Sequence, residues 1–145
     1  MRYRADRNQG FTLIEIMVVV VIISVLIGLV APNIMGRVDD AKVTAARADI
    51  ATMGQALDMY RIDNGNYPTS EQGLQALVAK PGGTPEPRKW NPAGYLKKKE
   101  LPRDPWENEY QYLRYPDGSY ELLSYGADGR EGGEGYDADI YQKDL

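Results

Sequence analysis

The sequence predicts an α+β chain in which one long N-terminal α-helix packs against a small antiparallel β-sheet, with an acidic, glycine-rich loop near the C-terminus. Three observations predict it. Residues 11–31 form an apolar run with a single charge, Glu15, and apolar residues then recur at helical spacing as far as Tyr60. Two Tyr- and Leu-rich segments later flank Pro116-Asp117-Gly118, a hairpin turn signal. At 145 residues the chain holds about one domain. Cysteine and histidine are both absent, which excludes disulfides, thiol nucleophiles, His-based proton relays and most zinc sites. A formal charge of −4 without a long basic patch excludes a nucleic-acid role.

The apolar run comes first. Its 21 residues would reach about 31 Å as a helix, close to the hydrocarbon thickness of a bilayer. It is too long for the core of a secretory signal peptide, and Pro32-Asn33 follows it without an A-x-A cleavage site. A buried core helix is the other alternative, but the remaining chain is too polar to surround a helix apolar on every side. A membrane-spanning first half is therefore expected. Arg2, Arg4 and Arg7 against Asp6 place the N-terminus in the cytoplasm and the C-terminal remainder outside it. Glu15 costs on the order of 3 kcal/mol at a bilayer's centre and less near its edge. It calls for a partner or a role, or snorkels to the headgroups from its place one turn inside the run.

Helical spacing then continues through Val43, Ala46, Ile50, Met53, Leu57 and Tyr60, one stripe facing a core. It stops at Asn64-Gly65-Asn66-Tyr67-Pro68, where glycine supplies a left-handed cap and proline prevents continuation. Gly28, Pro32 and Gly36 weaken the helix at steps of four, and a simple kink is the plainest consequence.

After the helix, Thr69-Ser70-Glu71-Gln72 fits a capping box and predicts one short helix presenting Leu74 and Leu77. Residues 79–94 carry four prolines and three glycines and are expected to form an irregular loop pinned by Trp90 and Tyr95. Lys97-Lys98-Lys99 reads as solvated surface. Residues 110–115 and 119–125 read as a β-hairpin that needs the long helix behind it.

Five carboxylates, Asp128, Glu131, Glu134, Asp137 and Asp139, lie among five glycines near the C-terminus. A solvated loop and a structural cation both fit that composition, and calcium suits it better than magnesium because it accepts six to eight oxygens in flexible geometry. No glutamate closes a twelve-residue EF-hand loop from Asp128, and a single Gly- and Asp-rich repeat cannot build a stacked calcium-binding solenoid. Asp137 and Asp139 could nominally act as acid and base, yet no pocket can be inferred around them and Gly-x-Ser-x-Gly is missing, so no enzyme is expected.

Gly10-Phe11-Thr12-Leu13-Ile14-Glu15, behind a short basic leader and ahead of the apolar run, resembles the cleavage and methylation signal of type IV pilins and type II secretion pseudopilins. Four further strings are similar to those of the major pseudopilins of type II secretion systems: Ala56-Leu57-Asp58-Met59-Tyr60, Asn66-Tyr67-Pro68-Thr69, Glu71-Gln72-Gly73-Leu74-Gln75-Ala76-Leu77 and Leu101-Pro102-Arg103-Asp104-Pro105-Trp106. The likeness covers nearly the whole chain. A type IV pilin for adhesion or motility is the alternative, disfavoured because such pilins commonly close a C-terminal disulfide loop.

The resemblance implies that prepilin peptidase cuts after Gly10 and methylates Phe11, removing residues 1–10 as a leader. Losing three Arg and one Asp leaves 14 basic and 20 acidic residues, a formal charge of −6. Residues 11–31 are then the membrane half of the helix, residues 32–64 its periplasmic continuation and residues 65–145 a periplasmic globular region. It further implies that Glu15 pairs with the new N-terminal amine of its own or a neighbouring subunit, and that the segment with Gly28, Pro32 and Gly36 loses helicity on assembly. Calcium is expected at the C-terminal loop, held by Asp128 and the Tyr125 carbonyl, with Asp137, Asp139 and the Arg130 carbonyl as further ligands. The family's adjacent aspartate pair is here the spaced pair Asp137-Ala138-Asp139.

The implied function is structural. Subunits held singly in the inner membrane would polymerise into a periplasmic pseudopilus that drives folded proteins across the outer membrane. Implied partners are further copies of the chain, minor pseudopilins, the inner-membrane assembly platform and its ATPase, prepilin peptidase, the outer-membrane secretin channel and membrane lipid.

Overall fold

The structure, a computed structural model, describes residues 10–145, and of residues 30–35 the backbone alone. Residues 1–9, which carry the charges used for orientation, and the Pro32 side chain lie outside the description. The chain divides into two units, one ending at Val38 and one formed by Asp39–Leu145.

Helix α1 runs Leu13–Asn64. In the first unit its start is a capping box. The Thr12 main-chain N–H donates to Glu15 Oε2 at 2.7 Å, and the Glu15 N–H donates to Thr12 Oγ1 at 3.3 Å. The apolar side chains from Leu13 to Leu29 are exposed around the whole helix, Val19 at 50% and Leu29 at 67% among them. Such a surface requires cover by lipid or by other apolar helices. Among the described residues no helix is long and apolar enough to cross a membrane. With the side chains of residues 30–35 outside the description, the apolar helical stretch described is 13–29, shorter than the run in the sequence.

In the second unit α1 turns its predicted stripe inward. Ala46, Ile50, Met53, Leu57 and Tyr60 are buried, Val43 packs beside them, and Arg47 and Asp58 stay exposed. The helix ends where glycine adopts a left-handed conformation: Gly65 has φ +85° and its N–H donates to Arg61 O at 2.7 Å. Buried Asn64 fastens this end, giving Nδ2 bonds to Tyr60 O and the Tyr95 hydroxyl and accepting the Lys89 N–H at 2.9 Å.

The predicted short helix forms in part. Thr69 and Gln72 exchange the two capping-box bonds at 3.0 and 3.1 Å. They close one turn, which Gly73 ends at φ +57° and ψ −166°, and a single 3-10 turn, Leu74–Leu77, follows. That glycine conformation cannot continue a helix, so the box caps a turn instead. Leu74, Ala76 and Leu77 are buried against α1. The loop after it is pinned as expected, with Trp90 Nε1 on Ala76 O at 2.8 Å and the Tyr95 N–H on Leu77 O at 2.7 Å.

The sheet has three antiparallel strands in the order β1-β2-β3: β1 Gln111–Arg114, β2 Tyr120–Ser124 and β3 Ile140–Tyr141. Tyr112 faces Leu122 across the hairpin, and Gly118 turns it at φ +87°. The third strand is an addition to the predicted hairpin. It pairs Tyr141 with Leu123 and Ile140 with Ser124, and two residues are too few to show alternation in the sequence. Tyr110, Leu122 and Ile140 close the core against α1.

Candidate functional site

Gly10, Phe11 and Thr12 precede the first turn of α1, and Phe11 is 84% exposed. Both the Thr12 N–H and the Thr12 hydroxyl, at 2.8 Å, converge on Glu15 Oε2. The carboxylate therefore sits at the positive end of the helix with two local donors, on a surface that is otherwise apolar. The side chains around it are Phe11, Ile14, Ile16, Val18 and Val19. Downstream, the backbone is helical through Gly28, Pro32 and Gly36, and a Cβ on Gly28 would meet nothing within 4 Å.

The C-terminal loop is built by backbone first. The Ala127 N–H donates to Tyr136 O at 2.9 Å, which holds residues 125–129 beside residues 136–139. Glycine is required at the closest approach, because a Cβ on Gly126 would lie 2.8 Å from Ala138 O and 2.9 Å from Asp137 O. A Cβ on Gly133 would lie closer still to the Asp137 carbonyl. Among the candidate ligands, Asp128 Oδ1 accepts the Arg130 N–H at 3.0 Å. Asp139 Oδ2 accepts the Gly132 N–H at 3.0 Å and the Tyr141 hydroxyl at 3.2 Å. Among the described residues, Asp139 Oδ1 is buried without a hydrogen-bond partner. Asp137 is exposed, and among the described residues no three Asp, Glu, His or Cys side chains gather closely enough to hold a metal ion. The structure thus brings the two loop segments together while the carboxylates remain apart, as mutual repulsion requires.

Lys97, Lys98 and Lys99 are exposed. Sequence reasoning quoted Asp104 without giving it a role. The structure makes it a buried carboxylate, 2% exposed, bonded to Ser124 of β2. Its signal was present only as an Asp between two prolines, Pro102 and Pro105.

Two family models match the chain. Residues 6–31 match the prokaryotic N-terminal methylation motif, and residues 33–143 match protein G of the type II secretion system. The chain belongs to the type II secretion system protein G family. Its curated relatives in that family include the type II secretion system core protein G of Pseudomonas aeruginosa, 58% identical over 92% of this chain and 94% of the relative. The corresponding protein of Vibrio cholerae is 51% identical over 92% and 90%. The crystal structure of the major pseudopilin from the type 2 secretion system of enterohaemorrhagic Escherichia coli matches with a TM-score of 0.65 at 42% identity. The match covers 79% of this chain and 96% of that one.

Family and fold together place the chain among pseudopilus subunits of type II secretion and set aside the type IV pilin for adhesion or motility. Protein G family members are structural components of a secretion system and not an enzyme family. The match to the methylation motif covers Gly10, Phe11 and Glu15, so the start of α1 lies within that motif.

Proposed function

We propose that this chain is the building block of a periplasmic pseudopilus, anchored by residues 11–31 in the inner membrane with its N-terminus cytoplasmic, and that assembly is driven by relocating Glu15. Prepilin peptidase cuts between Gly10 and Phe11 and methylates the new amine. In lipid the Glu15 carboxylate is costly, and its donors in the single chain are the Thr12 groups. A neighbouring subunit's cationic N-terminus offers a full opposite charge in a low-dielectric setting, where that pairing is worth more than in water. Apolar helices replace lipid contacts, the Glu15 pair fixes register, and the segment with Gly28, Pro32 and Gly36 unwinds as subunits pack. The assembly platform and its ATPase add subunits, minor pseudopilins complete the fibre, and its growth moves folded cargo toward the secretin channel.

The observation that carries this reading is a carboxylate in the first turn of an all-round exposed apolar helix, inside the N-terminal methylation motif. Mass spectrometry of membrane-purified protein tests it: loss of residues 1–10 and gain of one methyl group are expected. A chain that keeps Met1 and still builds fibres would overturn it. Glu15→Ala is expected to insert normally and to be lost from fibres recovered by shearing.

The second element of the proposal is calcium at the C-terminal loop. The donor set is entirely oxygen, which suits a hard cation. The buried, unpartnered Oδ1 of Asp139 supports the fit, as do the two glycines that let the loop backbones approach closely. Asp128, Asp137 and Asp139 with the carbonyls of Tyr125 and Arg130 would hold the ion. Bound calcium would neutralise the clustered negative charge and cross-link the loop's two segments, keeping the outer part of the subunit rigid in the fibre.

A further inference from the structure

Behind the C-terminal loop lies a buried polar pair that assembly does not use. Asp104 is 2% exposed and Ser124, at the end of β2, is 0% exposed. Asp104 Oδ1 accepts the N–H groups of Trp106 at 3.0 Å and Asn108 at 2.8 Å, and its Oδ2 accepts the Ser124 hydroxyl at 2.7 Å. With three donors aimed at it, Asp104 serves as acceptor only, so the Ser124 proton points to Asp104 and its lone pairs remain free to accept. One of them receives the Gly126 N–H at 3.2 Å.

That N–H belongs to the peptide plane joining Tyr125 to Gly126. In a trans peptide the C=O and N–H point in opposite directions, so drawing the N–H inward turns the Tyr125 carbonyl outward. Asn108 extends the frame: its Nδ2 faces Gly126 O at 3.5 Å, and its side-chain amide lies 3.0–3.2 Å from where a Cβ on Gly129 would stand. Gly126 directly follows Tyr125 and Gly129 directly follows Asp128, so each glycine adjoins one candidate ligand.

We propose that Asp104 and Ser124, with Asn108 beside them, are positioning residues of the cation loop, aiming the Tyr125 main-chain carbonyl at the bound ion. The inference rests on the calcium reading. Groups that orient a metal ligand from behind shift affinity by about 10- to 100-fold when removed.

The test uses the full chain purified in detergent, titrated with calcium chloride by calorimetry and melted in calcium and in EGTA. Ser124→Ala is expected to weaken calcium binding by about 10-fold or more and to shrink the gap between the two melts. Asp104→Asn keeps the shape but turns an amide donor toward Ser124, and is expected to act in the same direction. Where Ser124→Ala does not fold in EGTA, the Asp104→Asn titration decides. Ser70→Ala is the control. Its hydroxyl holds the Arg114 backbone outside the loop, so it should lower both melts equally and leave affinity unchanged. If Ser124→Ala and Asp104→Asn behave like that control, their role is structural only and the proposal is overturned. If the unsubstituted chain itself binds no calcium, the calcium reading fails first, and that titration tells the two failures apart.

Discussion

Tyrosine hydroxyls at the edge of the core set much of the second unit's residue-scale chemistry. Tyr110 donates to Asp49 Oδ2 at 3.0 Å across the core, and Tyr112 donates to Pro68 O at 2.8 Å. Burial, helped at Tyr110 by the negative charge of Asp49, pushes the Tyr110 and Tyr112 hydroxyls well above the ordinary tyrosine range. Burial raises Tyr120 to about 12. A folded-state value above the unfolded one means that the folded chain holds more protons between the two. Its stability contribution is therefore whole below about pH 10 and falls as pH rises beyond it. The expected outcome is a domain stable to about pH 9 whose tyrosinate absorbance grows together with loss of helical circular dichroism. Tyrosinate formation well before unfolding, beyond what exposed tyrosines such as Tyr115 and Tyr136 supply, would contradict the buried assignments. Tyr110→Phe removes one hydroxyl bond to a charged acceptor and should cost about 1.5 kcal/mol in a denaturant titration. These tyrosines were legible in the sequence as parts of the hairpin segments, but their acceptors were not, since Tyr110 and Asp49 are separated by 61 positions.

At the scale of elements, one glycine ends α1 and others lie within it. Gly65 sits at φ +85°, where a side chain is strained, so Gly65→Ala should lower stability by about 1 kcal/mol. Gly28 is helical with open space around it, so Gly28→Ala should stabilise the free helix by about 1 kcal/mol. If unwinding accompanies assembly, that same substitution should reduce fibre yield, and hydrogen exchange in wild-type fibres should show fast exchange across residues 28–36. Full protection there would remove unwinding from the account. The inward stripe of α1 was legible from spacing alone because a packed helix repeats its contacts every three or four residues. β3 was not, because its two residues gain their strand conformation only by pairing with Leu123 and Ser124.

For the whole molecule, the fold depends on a core shared by one helix and a very small sheet, so Ile50→Ala or Leu57→Ala should cost about 2 to 5 kcal/mol, read in a thermal melt. Calcium at about 100 times its dissociation constant should add about 2.7 kcal/mol, and a melt that EGTA leaves unmoved would remove the ion from the account. The sequence by itself determined the processing motif, the apolar helix with its stranded carboxylate, the inward stripe and the presence of an oxygen-rich loop. These features are written in residue type and short-range spacing, which local sterics and hydrophobic periodicity convert directly into structure. Only the tertiary structure decided that the capping box closes a turn, that a third strand joins the hairpin and that Asp104 is buried behind the C-terminal loop. The third strand and the burial of Asp104 depend on which groups meet across long stretches of chain, and packing, not local preference, selects those meetings.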